Sequence, residues 1–159
     1  MYLKLFIILF ISTHIIDLEA SIKSDIQAYE NRLKDLQKDL LSPIESSQTS
    51  ASSLALAKQS EKIIEAYSKL HPICGEYFEV LLSHGFKIKM MSPEAIEFNY
   101  VEENSLPFSK PHCRVPKALY VRAMSVSSML RMGRADHKKM LRELEEASKH
   151  IVSLKKEIL

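Results

Sequence analysis

One seam of side chains runs through the last third of the chain: Leu119, Ala123, Val126, Leu130, Gly133, His137, Met140, Leu144, Ala147, Ile151, Leu154 and Ile158. The steps alternate four and three residues without a slip, the repeat of a coiled-coil seam, and only Gly133 and His137 interrupt its apolar character. A helix over 116–159, at about 1.5 Å per residue, would reach roughly 60 Å. It cannot cover its own stripe, so the rest of the chain or a second copy must do so. Gly133 has two readings, a small residue admitting close helix approach or a bend. An interior glycine costs about 1 kcal/mol relative to alanine, and the unbroken period favours one continuous helix. His137 reads as a polar seam residue that sets register, whose protonation below about pH 6.5 would loosen the seam.

The same spacing recurs upstream. Over 21–41, Ile22, Ile26, Tyr29, Leu33, Leu36 and Leu40 form a second seam, with charges of both signs between them. Over 51–70, Leu56, Ser60, Ile63, Tyr67 and Leu70 form a third, less regular one. Ser42-Pro43-Ile44-Glu45 separates the two, because proline removes a backbone donor and the four residues also read as a capping box. The serine-rich stretch 46–53 reads as a connector or a frayed turn. His71-Pro72 interrupts the third helix, and Pro72 opens a shorter one with Ile73, Cys74, Tyr77, Phe78, Leu81 and Leu82 turned inward. Gly85 is a suitable stop. The period then changes to two: Phe86, Ile88 and Met90, then Ile96, Phe98 and Tyr100, alternate with polar residues across Ser92-Pro93-Glu94. That pattern predicts a β-hairpin at about 86–101 that leans on the helices. Residues 102–115 read as a loop. The expected fold is mainly α: an antiparallel coiled coil or helical bundle, a single domain over 21–159, with a long C-terminal helix and a small β-hairpin.

The chain opens with Lys4 and an apolar run over 5–16, the pattern of a secretory signal peptide over 1–20 with cleavage after Ala20. The run falls short of the roughly 20 residues a membrane span needs, so no stable span is expected after cleavage and the mature chain is periplasmic or secreted. In an oxidising compartment Cys74 and Cys113 are expected to pair. Such a bridge would contribute about 4 kcal/mol by restricting the unfolded chain. A rival reading makes His71, Cys74, His112 and Cys113 zinc ligands; the adjacent His112-Cys113 is awkward for one metal.

Charge is nearly balanced overall but not in its distribution. Between Lys110 and Arg142 lie nine basic residues and a single acid, Asp136. Either acids on neighbouring helices match them, or Arg131, Arg134, Lys138, Lys139 and Arg142 form a docking face for an acidic protein, phospholipid or cell-wall polymer. An exported chain makes nucleic acid a poor partner. Three glycines at 75, 85 and 133 build no phosphate loop, no His-Glu-x-x-His stands in the chain, and Cys74 with His71 or His112 lacks the context of a thiol catalyst. Glu102-Glu103 reads as a solvated charge pair on a loop. No enzyme activity and no cofactor are expected.

Met91-Ser92-Pro93-Glu94-Ala95, with Glu30-Asn31-Arg32-Leu33-Lys34-Asp35-Leu36 before it and Ala118–Met124, Leu144-Glu145 and Leu154-Lys155-Lys156-Glu157-Ile158 after it, resembles the coiled-coil region of exported murein hydrolase activators, which are related to M23-type peptidases. The resemblance implies an outgoing and a returning coil without the peptidase-like domain. The function it implies is an exported coiled-coil binding or scaffold protein of the cell envelope, a regulator of cell-wall hydrolases through helix–helix contact, with self-association through the seam as one form of that contact. Two alternatives of other classes are a periplasmic holdase-type chaperone and a small secreted effector.

Overall fold

The three seams are buried against one another. In the computed structural model the backbone is described for residues 2–42, 46–107, 109–133 and 136–158, and side chains within these from 17 onward, apart from 46 and 47. Four long helices carry the fold: α1 (Tyr2–Leu41), α2 (Ser46–Leu70), α6 (Arg114–Arg131) and α7 (His137–Ile158). Each packs on the next and α7 returns to α1, closing a ring. Cross-contacts set the directions. Gln59 Nε2 donates to Asp25 Oδ1 (2.9 Å) and Ser52 Oγ to Asp39 Oδ2 (3.3 Å), so α2 runs against α1. Tyr67 at the end of α2 reaches His112 just before α6, and Lys155 on α7 pairs with Glu30 on α1 at 3.0 Å. Across the diagonal, the buried Tyr29 hydroxyl donates to the Leu119 carbonyl (3.1 Å). The seam residues of 21–41 are all buried, as are Leu56, Ser60, Ile63 and Tyr67.

The expected single C-terminal helix is two helices. α6 ends at Arg131; Gly133 then takes φ +62°, and its N–H bonds back to the Leu130 carbonyl (3.2 Å). Asp136 starts α7, its Oδ1 accepting the Lys139 N–H at 2.9 Å. Glycine in the left-handed conformation after a helix and aspartate before the next are a stop and a start. The two seam positions that lapse, Gly133 and His137, are both exposed at the turn, while Leu119, Ala123, Val126, Met140, Leu144, Ala147, Ile151 and Leu154 are buried. The seam therefore folds back on itself, and His137 does not lie within it.

The expected hairpin is also helical, and no strand occurs among the described residues. Between α2 and α6 the chain makes α3 (Gly75–Ser83), α4 (Gly85–Met90) and α5 (Pro93–Ile96), which widens into a π-type turn over Glu97–Val101. Ser92 Oγ accepts the Ala95 N–H (3.2 Å), so Ser-Pro-Glu is a helix cap followed by proline in the first turn rather than a hairpin turn. Of the alternating residues only Ile88, Ile96 and Tyr100 are buried; Phe86, Met90 and Phe98 are exposed. Ile96 and Tyr100 are four apart, a helical spacing hidden inside a run with period two.

Smaller corrections follow the same logic. The stretch 46–53 is the start of α2, with Thr49 and Ser53 buried. The helix α1 runs from Tyr2 to Leu41, which bears on neither the signal-peptide reading of 1–20 nor its cleavage. Ile73 is exposed. Gly85 opens α4 instead of ending a helix; a Cβ there would stand 3.1 Å from the buried Tyr120 hydroxyl. The capping-box residues Pro43, Ile44 and Glu45 lie outside the described residues. α4, α5 and the π-type turn cover the outer side of α6, while α3 packs on α2; α6 buries Tyr120, Val121, Met124, Ser125 and Ser128 in addition to its seam.

Candidate docking surface

Within the basic run from 110 to 142, Lys117 and Arg122 turn inward, Lys110 and Arg114 are exposed beside the start of α6, and an outward set gathers near the end of α6 and the start of α7. Lys117 is buried; its Nζ donates to Glu103 Oε1 (2.8 Å) and to the carbonyls of Tyr100 (3.1 Å) and Val101 (3.4 Å). Glu103 also accepts from Tyr77 Oη (3.1 Å) and Ser109 Oγ (2.9 Å), and Ser109 accepts from Arg114 Nε (3.1 Å). Burial alone would raise the Glu103 carboxyl, but the hydrogen bonds from Lys117, Ser109 and Tyr77 outweigh it and hold the group below its ordinary value. The expected solvated loop pair is thus half an internal knot: Glu102 is exposed, and Glu103 ties Tyr77 of α3 and Ser109 to Lys117 of α6 from a backbone with φ +62°. Arg122 likewise turns inward, to Glu143 Oε2 at 2.7 Å, with Glu97 at 3.6 Å.

The outward set lies where α6 turns into α7. Arg131 Nη2 donates to the Met91 carbonyl (3.1 Å), and Lys139 Nζ stands 3.7 Å from Glu94 Oε1, so these two hold opposite ends of the 91–94 segment. Lys138 and Arg142 are exposed and make no ion pair or hydrogen bond among the described residues. Lys138, Lys139, Leu141 and Arg142, with Asp136 and Glu145, line an open cleft of about 590 Å³. Arg134 lies outside the described residues.

Arg131 also lines a second groove, of about 460 Å³. Leu54 and Met90 flank it, buried Met124 lies at its floor, and Lys89 and Arg131 supply its cations. Sequence reasoning missed it by assigning Met90 to a buried strand face. The usable signal was Lys87 and Lys89 beside Met90, which suits the open side of a helix.

The structure joins Cys74 to Cys113, with Cα atoms 5.7 Å apart. The bond ties the turn after α2 to the turn before α6, as pairing predicts. Among the described residues no helix is long and apolar enough to cross a membrane. No protein-family model, curated protein or solved structure matches this chain.

Proposed function

We propose that this chain is an exported helical binding protein that docks an acidic, amphipathic helix of a protein partner at the end of the bundle formed by the α6–α7 turn, α4 and the start of α2. The observation that carries the reading is the division of its cations. Lys117 and Arg122 are consumed inside, whereas Lys138 and Arg142 face solvent beside a cleft, and Lys89 and Arg131 line a groove with an apolar floor. A helix presenting apolar residues on one stripe and acids beside it matches both features. Flexible methionine side chains such as Met90 suit such a groove because they repack around the ligand. The seam side chains are occupied within the chain, so recognition falls to this outer end.

Export is supported by the basic and apolar start of the sequence and by the Cys74–Cys113 bond, which persists in oxidising compartments. On the resemblance to murein hydrolase activators, the partner is a cell-wall hydrolase or its regulator. Cross-linking in the native envelope, with wild type beside Lys138→Glu/Arg142→Glu and Lys89→Glu/Arg131→Glu, tests the proposal. One partner with an acidic helix should be captured by wild type and lost in both pairs while the helical content is unchanged. Equal capture by the variants overturns the docking face. Suppression of aggregation of unrelated unfolded clients, unaffected by the charge reversals, would instead indicate a holdase.

A further inference from the structure

The opposite end of the bundle brings three metal-ligating side chains together and sets a fourth beside them. Cys74 and Cys113 lie with His112 so that their ligand atoms are all within 4.8 Å of one another. The ring of His71 is centred 6.3 Å from that of His112. Adjacency of His112 and Cys113, awkward in the sequence, therefore does not keep both from one point.

Two matching turns produce this convergence. Pro72–Cys74 and Pro111–Cys113 are each a 3-10 turn opened by proline. Each leads straight into a helix, so Cys74 caps α3 and Cys113 caps α6. The Cys74 N–H donates to the His71 carbonyl (2.9 Å), which keeps His71 beside this turn. The partial positive charge at a helix start favours anions, and the thiolate is the form of cysteine that ligates metal. Tyr67 touches both histidines: its ring stacks on His71 at 4.2 Å in the disulfide state, and its hydroxyl, donating to Glu157 Oε1 (2.6 Å), stands 3.3 Å from the His112 carbonyl. Both cysteines are buried, but His71 and His112 are half-buried, and His71 lines an open cleft of about 440 Å³ that leads to solvent.

We propose that this corner binds Zn²⁺ when Cys74 and Cys113 are in the dithiol state, through both sulfurs, His112 and His71, so that a disulfide and a zinc ion are alternative staples between the same two turns. The exchange balances. A dithiol reductant passes two electrons and two protons to the disulfide and becomes a disulfide itself; zinc then binds the sulfurs as thiolates and releases those two protons. Two sulfurs and two imidazoles in tetrahedral array are a preferred zinc set, with Zn–S about 2.3 Å and Zn–N about 2.0 Å. Those lengths place ligand atoms about 3.3–3.8 Å apart, so the sulfurs move apart and the His71 ring turns in. This proposal is independent of the docking face at the other end.

The test uses the full chain, reduced by a phosphine and kept anaerobic, titrated with Co²⁺ and then Zn²⁺. One equivalent of Co²⁺ should give thiolate-to-metal charge transfer and the visible bands of a tetrahedral site, both removed by Zn²⁺. Zn²⁺ should also raise the melting temperature of the reduced chain, and the oxidised chain should show neither effect. His112→Ala and His71→Ala should each weaken Zn²⁺ binding about tenfold or more, at least the loss seen for outer-shell partners. His112→Asn and His71→Asn replace them should either alanine variant lose helical circular dichroism. Absence of the cobalt bands, or zinc affinity unchanged in either histidine position, overturns the proposal.

Discussion

The Tyr120 hydroxyl is buried without a hydrogen-bond partner among the described residues and stands against the backbone of Gly85. An unsatisfied buried hydroxyl costs about 1–3 kcal/mol, so Tyr120→Phe is expected to stabilise by about 1 kcal/mol in urea unfolding. Gly85→Ala alone crowds that hydroxyl and is expected to destabilise. Placed in the Tyr120→Phe background it should turn stabilising, by up to about 1 kcal/mol of helix propensity. Two inward groups, His150 and Glu103, predict separate acid responses. His150 packs near Arg122 and Lys117; burial first, then the Arg122 charge, lowers its proton affinity below the ordinary 6.5, against the opposing pull of Glu146. The unfolded chain then takes up the proton more readily, so stability is full above 6.5 and falls as pH drops through that value toward the folded one. A melting temperature that declines between about pH 7 and 5.5, with the slope flattened in His150→Gln, is the expected result. Glu103 responds lower. Its depressed carboxyl adds stability above the ordinary 4.5, lost as pH falls through the folded value, and Glu103→Gln should remove that lower limb.

Among the elements, the α6–α7 turn and the 72–113 excursion decide the architecture. Gly133→Ala forces a side chain into the left-handed region and Asp136→Ala removes the α7 cap, each expected to cost about 1 kcal/mol by thermal or chemical unfolding. Were the two helices one, Gly133→Ala would stabilise instead. Lys117→Ala leaves Glu103 half-buried and uncompensated and should cost about 3 kcal/mol, whereas Lys117→Met with Glu103→Gln should recover most of it. The seams of α1, α2 and α7 were legible because each of these helices buries one stripe. The short helix opened by Pro72 was legible too, with Cys74, Tyr77, Phe78 and Leu81 buried as expected; α4 and α5 were not, because runs of four to six residues sample too little of a helical period to distinguish 3.6 from 2. Ser92-Pro93-Glu94 shows the ambiguity: the same three residues suit a turn and a helix start, and the Ser92–Ala95 hydrogen bond selects the second.

Across the whole molecule, the bundle is closed at one end by the Cys74–Cys113 bond and opens its charged face at the other. With a metal chelator present, reduction of that bond is expected to cost about 4 kcal/mol, measured by urea unfolding of oxidised and reduced chains. The sequence alone determined that the chain is mainly helical, which stripes are buried and which cysteines meet, because heptad spacing and a single pair of thiols leave few alternatives. Tertiary structure decided where the long seam reverses, that the supposed hairpin wraps α6 as short helices, and which cations face solvent. Those outcomes depend on partners distant in sequence: Glu103 for Lys117, Glu143 for Arg122 and the Met91 carbonyl for Arg131. A basic residue does not carry in its own neighbourhood whether an acid from another helix will meet it, and only the packing of α6 among its neighbours settles that.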